Sequence, residues 1–154
     1  MLFRSLERVA EYCCARYLRE PNYLHIDGRP VFSFWRWEEL ELQLGSVTAV
    51  AEGFDRMRAV ARRHGFPGLH IMVNIANYEN PHTRHCWWPA LADRVKQAGG
   101  DSVFGYNVAR TPGFPALTND RPLVPYDDVL ASHDELFRLC ENRGLPFHPV
   151  ATVG

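Results

Sequence analysis

The sequence predicts an α/β fold made of parallel βα repeats, with four strands and four helices. Helical and extended hydrophobic periods alternate along the chain, as in successive βα units. The helix-to-strand connections are short and glycine-marked, whereas the strand-to-helix connections are long. The 154 residues are enough for one domain but fewer than the roughly 200–250 of a complete barrel. We therefore expect a single domain over residues 1–154, either a small open sheet or about half of a (β/α)8 TIM barrel.

Each element is predicted from its period and its end signals. Apolar residues at helical spacing predict a first helix, and a short apolar run after the Asp27-Gly28 turn predicts the first strand. Ser46 is suited to cap the second helix, and Gly65 is suited to end it. The predicted order is a helix over 2–20, a strand over 31–35, a helix from Ser46 to Gly65, a strand over 69–75, a helix from Pro89 to Gly99, a strand over 103–108, a helix after Pro125 to Gly144, and a strand over 147–153.

The long connections indicate where a functional site would lie. They span residues 35–45, 76–88 and 109–126, and they are rich in aromatic and polar residues. In parallel α/β folds such loops build the functional face at the carboxyl ends of the strands. The sequence therefore predicts a site on that face.

Composition and motifs exclude several classes of protein. Apolar residues make up 46% and charged residues 23% of the chain, which argues against disorder and coiled coil. A net charge of −1 favours neither nucleic acid nor acidic lipid. No apolar run approaches the length of a membrane span, and the first residues do not resemble a signal peptide. The four cysteines form no CxxC pair, so we expect reduced chemistry and a cytoplasmic location. The sequence contains no GxGxxG, GxxxxGK(S/T) or GxSxG motif, so neither a nucleotide site nor a serine-hydrolase elbow is supported and no cofactor is predicted.

Trp35-Arg36-Trp37 directly follows the first predicted strand. Two indoles around a guanidinium can form a stacking platform for a sugar ring or another flat ligand. The alternative is an aromatic cap on the mouth of the sheet. We predict that all three residues bind substrate.

Amide and phenol groups are predicted at the ends of the next two strands. Asn74 and Asn77 follow one strand, and Tyr106 and Asn107 lie at the end of the other. Such groups can both donate and accept hydrogen bonds with hydroxyl groups, although Asn77 also suits a simple Asx turn. We include these four residues in the predicted substrate-binding set, and no catalytic residue is identified.

A metal site is the weakest hypothesis. His82, His85 and Cys86 could supply three zinc ligands from one loop, but no companion motif completes the set, so no metal is predicted. His148, at the start of the last strand, is predicted to be structural. The adjacent carboxylates Glu38 and Glu39 are interpreted as acids that open a helix and not as a catalytic pair.

The segment from Tyr17 to Trp35 resembles a family signature. It matches the pattern P-x-Y-x-x-(I/V)-D-G-(K/R)-P-V of the glycoside hydrolase family 99-like group, whose bacterial members include WbsX-type glycan-processing proteins. The similarity continues through Arg63-His64-Gly65-Phe66, the segment 98–106 and Pro146 to Gly154.

The resemblance implies a (β/α)8 barrel that acts on glycans, with mannose-containing chains as the best-known substrates. On this resemblance we expect residues 1–154 to be a partial domain, about half of such a barrel. It also implies two catalytic glutamates in an Asn-Glu-Trp-x-Glu-Gly motif, which does not occur in these 154 residues. Because glycoside hydrolysis needs paired carboxylates, we expect this chain by itself to be inactive. The alternative is a non-catalytic carbohydrate-binding or assembly module. The exposed sheet edges of a partial barrel would also favour homo-oligomers.

Overall fold

A computed structural model of the chain describes residues 2–76, 88–105 and 143–148, together with single positions between 127 and 141. The helices are α1 (Leu2–Arg16), α2 (Trp37–Leu44), α3 (Val47–Arg63) and α4 (Trp88–Gln97). The strands are β1 (His25–Ile26), β2 (Arg29–Phe34), β3 (His70–Ala76), β4 (Ser102–Gly105) and β5 (Phe147–His148). The single positions are helical, as predicted there: Asp127, Leu130, Ala131, Asp134, Arg138 and Glu141. Among the helices in the described part of the chain, none is long and apolar enough to cross a membrane.

The strands form one five-stranded sheet in the order β1-β2-β3-β4-β5. Strands β2 to β5 pair in parallel, and β1 pairs with β2 in the antiparallel direction. The sheet curls as part of a barrel would. The α/β class and the parallel order of β2 to β5 are thus confirmed. The predicted count of four strands was wrong, because it omitted β1.

The additional strand arises from a tight hairpin. Asp27 and Gly28 both have positive φ, at 51° and 72°, which is the backbone of a type I′ turn. This turn matches the twist of two antiparallel strands, so His25 and Ile26 pair back onto the start of β2. The sequence indicated the turn but not the strand that precedes it.

Helix α2 occupies most of the connection that the sequence predicted to be a loop. Its first turn carries Glu38 and Glu39, where acidic side chains favour the helix dipole. Trp37 and Leu40 are buried, and Gly45 ends the helix in the left-handed conformation with φ 95°. The predicted element order left this helix out, but the interpretation of Glu38 and Glu39 as acids that open a helix is confirmed.

The two faces of the sheet have different environments. The helix-facing side carries apolar residues such as Ile71, Val73 and Val103, which join the core formed with α3 and α4. Phe34 stacks at 5.3 Å between ring centroids on Phe54 of α3. Strand alternation and register place a second set of residues on the opposite side, which we call the inner face: Val31, Ser33, His70, Met72, Asn74, Ser102, Phe104 and His148.

The predicted cap of the helix from Ser46 is confirmed. The Ser46 hydroxyl accepts a hydrogen bond from the Ala49 amide at 3.1 Å. We expect Ser46→Ala to lower the free energy of unfolding by about 1 kcal/mol, because one amide at the helix start loses its acceptor. Urea denaturation should show a lower midpoint with an unchanged slope, and Ser46→Asp should retain the wild-type midpoint. An unshifted midpoint in Ser46→Ala would show that the cap contributes nothing.

Candidate functional site

The carboxyl ends of β2 and β3 bring two of the predicted site residues together. Phe34 at the end of β2 pairs with Val73 of β3. The next residues along these adjoining strands are Trp35 and Asn74. They therefore occupy neighbouring positions at the carboxyl edge of the sheet, as the sequence predicts for a parallel fold.

Trp35 and Arg36 form the accessible part of this edge. The Trp35 residue is 49% exposed. The Arg36 guanidinium is about half exposed and pairs with the Glu39 carboxylate at 3.2 Å. An indole face with a guanidinium beside it offers a flat apolar surface and hydrogen-bond donors to a ligand.

Trp37 departs from the predicted platform. Its side chain is fully buried in the core, and its indole Nε1 donates to Glu41 Oε2 at 2.8 Å. The other oxygen of Glu41 accepts a hydrogen bond from Arg94 of α4. The physical reason is that α2 begins at Trp37, so the helix directs this ring inward. The prediction of two indoles flanking Arg36 in an open platform is therefore wrong for Trp37.

Asn74 is fully buried on the inner face. The β3–β4 register shifts between Asn74 and Ala76, so a bulge lies at this end of the strand. Bulges are common next to functional sites, where they redirect side chains. The Asn74 side chain is therefore buried on the inner face of the sheet, at the position next to Trp35, and is not exposed to solvent.

The other predicted site residues lie outside the described part of the chain. These are Asn77, Tyr106 and Asn107 of the predicted sugar face. The same holds for the three residues of the metal hypothesis, His82, His85 and Cys86.

No protein-family model, curated protein or solved structure matches this chain. Its function is therefore inferred from the geometry and chemistry of its own residues.

A polar cluster on the inner face was missed by sequence reasoning. His70 is 4% exposed, and its Nε2 lies 2.7 Å from the Ser102 hydroxyl. The His70 and His148 rings meet edge to face, with centroids 6.4 Å apart. The sequence signal was available, because His70 and Asn74 are polar residues at alternating positions of an otherwise apolar strand. His148, predicted to be structural, is part of this cluster.

Burial shapes the chemistry of His70. It lowers the pKa of the imidazole, because the charged form loses hydration. Within the described residues, His70 Nδ1 and His148 Nε2 are buried and lack a hydrogen-bond partner. Because buried polar atoms in native proteins nearly always have a partner, these two nitrogens are candidates for contact with a ligand.

A second polar cluster lies at the start of β3 and β4. Asp101 accepts hydrogen bonds from Arg29 at 2.7 Å, from Arg58 at 2.8 Å and from the Ile71 amide at 2.8 Å. Arg58 also donates to the Gly99 carbonyl at 2.5 Å. Both carboxylate oxygens are engaged by the protein itself, so this cluster joins elements together and is not a candidate ligand site.

Proposed function

We propose that this chain recognises glycans at the carboxyl edge of its parallel sheet, as part of a carbohydrate-processing protein resembling the family 99-like glycoside hydrolases. The observation that carries the proposal is the half-exposed Trp35 directly after β2. An indole of this kind can stack on the apolar face of a sugar ring, while Arg36 hydrogen-bonds to hydroxyl groups. Parallel α/β folds bind ligands at this same edge.

The proposal is recognition without hydrolysis. Glycoside hydrolysis needs an acid and a second carboxylate placed on opposite sides of the scissile bond. The carboxylates of α2 that follow Trp35 include two held in local contacts, because Glu39 pairs with Arg36 and Glu41 accepts from Trp37 and Arg94. The family's Asn-Glu-Trp-x-Glu-Gly motif does not occur in the sequence. A non-catalytic carbohydrate-binding or assembly module would use the same edge.

The test compares two aromatic residues of equal exposure. Trp35 and Tyr17 are each 49% exposed, but Tyr17 lies in the turn after α1. We expect an array of mannose-containing and other glycans to identify a ligand for the wild-type chain. Calorimetry with that ligand should then show a Kd at least about tenfold higher for Trp35→Ala and little changed for Tyr17→Ala.

Three results would contradict the proposal. The first is no binding to any glycan on the array. The second is a Kd that changes equally in Trp35→Ala and Tyr17→Ala, since that would separate the ligand from the sheet edge. The third, release of sugar from the bound glycan by the chain alone, would contradict recognition without hydrolysis.

A further inference from the structure

We propose that His70 and His148 form a binding site for a divalent transition-metal ion on the inner face of the sheet. The site is separate from the proposed glycan edge and does not depend on it. His70 comes from the start of β3 and His148 from the end of β5, so the fold brings together two histidines 78 residues apart in the chain.

Each of the two rings has one buried nitrogen available to a metal, and the contact of His70 with Ser102 favours the tautomer that a metal requires. His70 Nε2 lies 2.7 Å from Ser102 Oγ, and a hydrogen bond donated there leaves a lone pair on Nδ1. A metal-ligating histidine commonly donates its other ring N–H to a nearby acceptor in this way. His70 Nδ1 and His148 Nε2 are both buried and, within the described residues, without a hydrogen-bond partner.

The spacing of the rings is compatible with one shared ion. A metal–nitrogen bond of about 2.0–2.1 Å places the ion about 3.2 Å from each ring centroid. The centroids of two rings that ligate one ion therefore lie about 5.2 Å apart at a tetrahedral angle and at most about 6.4 Å apart when the two bonds are collinear. The observed centroid separation of 6.4 Å equals the collinear limit. For a tetrahedral ion, side-chain rotations of His70 and His148 would bring the two centroids about 1 Å closer.

The donor set selects the class of ion. Neutral imidazole nitrogen favours zinc, nickel, copper and cobalt over magnesium and calcium, which prefer oxygen ligands. The described residues offer no group of three or more histidine, cysteine or acidic side chains that could hold a metal. We therefore expect two protein ligands with water in other positions, and exchangeable binding rather than a closed structural site.

The experiment titrates the chelator-treated full chain with cobalt(II) and with zinc. Cobalt should produce visible absorption bands of imidazole ligation, and zinc should displace it and raise the melting temperature. Separate His70→Asn and His148→Ala variants should each weaken cobalt binding at least about tenfold. The exposed His25 provides the control, and His25→Ala should bind as the wild type does.

A combined variant separates this site from the loop residues of similar chemistry. Replacing His82, His85 and Cys86 together by alanine should leave the cobalt spectrum and affinity unchanged. Binding that survives in His148→Ala but disappears in the combined variant would overturn the proposal. So would the absence of cobalt and zinc binding by the wild-type chain. His148 is half-buried on a two-residue strand, so His148→Ala decides the question even where His70→Asn fails to fold.

Discussion

Replacing Trp37 by alanine should lower the free energy of unfolding by about 3–5 kcal/mol, the range for removing a large aromatic side chain from a packed core. Trp37 is fully buried, and its indole N–H bonds to Glu41, which also accepts from Arg94. Alanine would leave a cavity beneath α2 and remove the donor that holds Glu41 in place. Chemical denaturation followed by circular dichroism measures the loss.

The matched control is the neighbouring tryptophan. Trp35→Ala should change the free energy of unfolding by less than about 1 kcal/mol, because the Trp35 residue is 49% exposed. Trp37→Phe should lie between the two, since it keeps most of the ring volume but loses the bond to Glu41. Equal losses for Trp35→Ala and Trp37→Ala would contradict the different burial of the two indoles.

Replacing Asp101 by asparagine should lower the free energy of unfolding by about 2–4 kcal/mol. The change leaves Arg29 and Arg58 without their shared counter-charge, and both guanidinium groups are largely buried. It also weakens the acceptor for the Ile71 amide. Thermal and urea unfolding should show the loss at neutral pH.

The pH dependence provides an independent measure of the same contacts. Burial by itself would raise the pKa of Asp101, but the Ile71 amide and the guanidinium groups of Arg58 and Arg29 more than offset it, so the pKa lies below its usual value. A carboxyl with a lowered folded pKa contributes stability above its unfolded pKa of about 3.9, and this stability is lost as the pH falls through the folded value. The wild type should therefore lose stability below about pH 4 more steeply than Asp101→Asn.

The control for both measurements is an exposed acid beside the same guanidinium. Asp55 lies 3.5 Å from Arg58, and its side chain is 79% exposed. Asp55→Asn should change the free energy of unfolding by less than about 1 kcal/mol, because exposed ion pairs contribute little. A loss in Asp55→Asn as large as in Asp101→Asn would show that burial does not decide the strength of these contacts.

The elements that the sequence predicted best have strong local signals. The helix after Ser46 has a side-chain cap, a helical apolar stripe and glycine at its end, and the structure confirms it. The parallel order of β2 to β5 followed from strands that alternate with helices. Helix α2 was only partly predicted: Glu38 and Glu39 were interpreted as acids that open a helix, but the element order treated residues 35–45 as a connection.

The candidate site was predictable in its location and less so in its members. A parallel sheet directs a search to the carboxyl ends of its strands, and Trp35 and Asn74 do lie there. Whether an indole is exposed depends on the helix that follows it, and Trp37 is turned into the core by α2. The inner-face cluster was missed because His70, Ser102 and His148 belong to three different strands.

The sequence by itself determined the α/β class, the positions of most helices and strands, and the sheet edge at which a ligand is expected. These properties depend on hydrophobic period and end signals within about 20 residues. Only the tertiary structure decided which tryptophan is buried, which histidines meet, and that Arg29 pairs with Asp101, 72 residues away. The physical reason is that burial and charge pairing depend on neighbours supplied by other elements, and no local pattern specifies them.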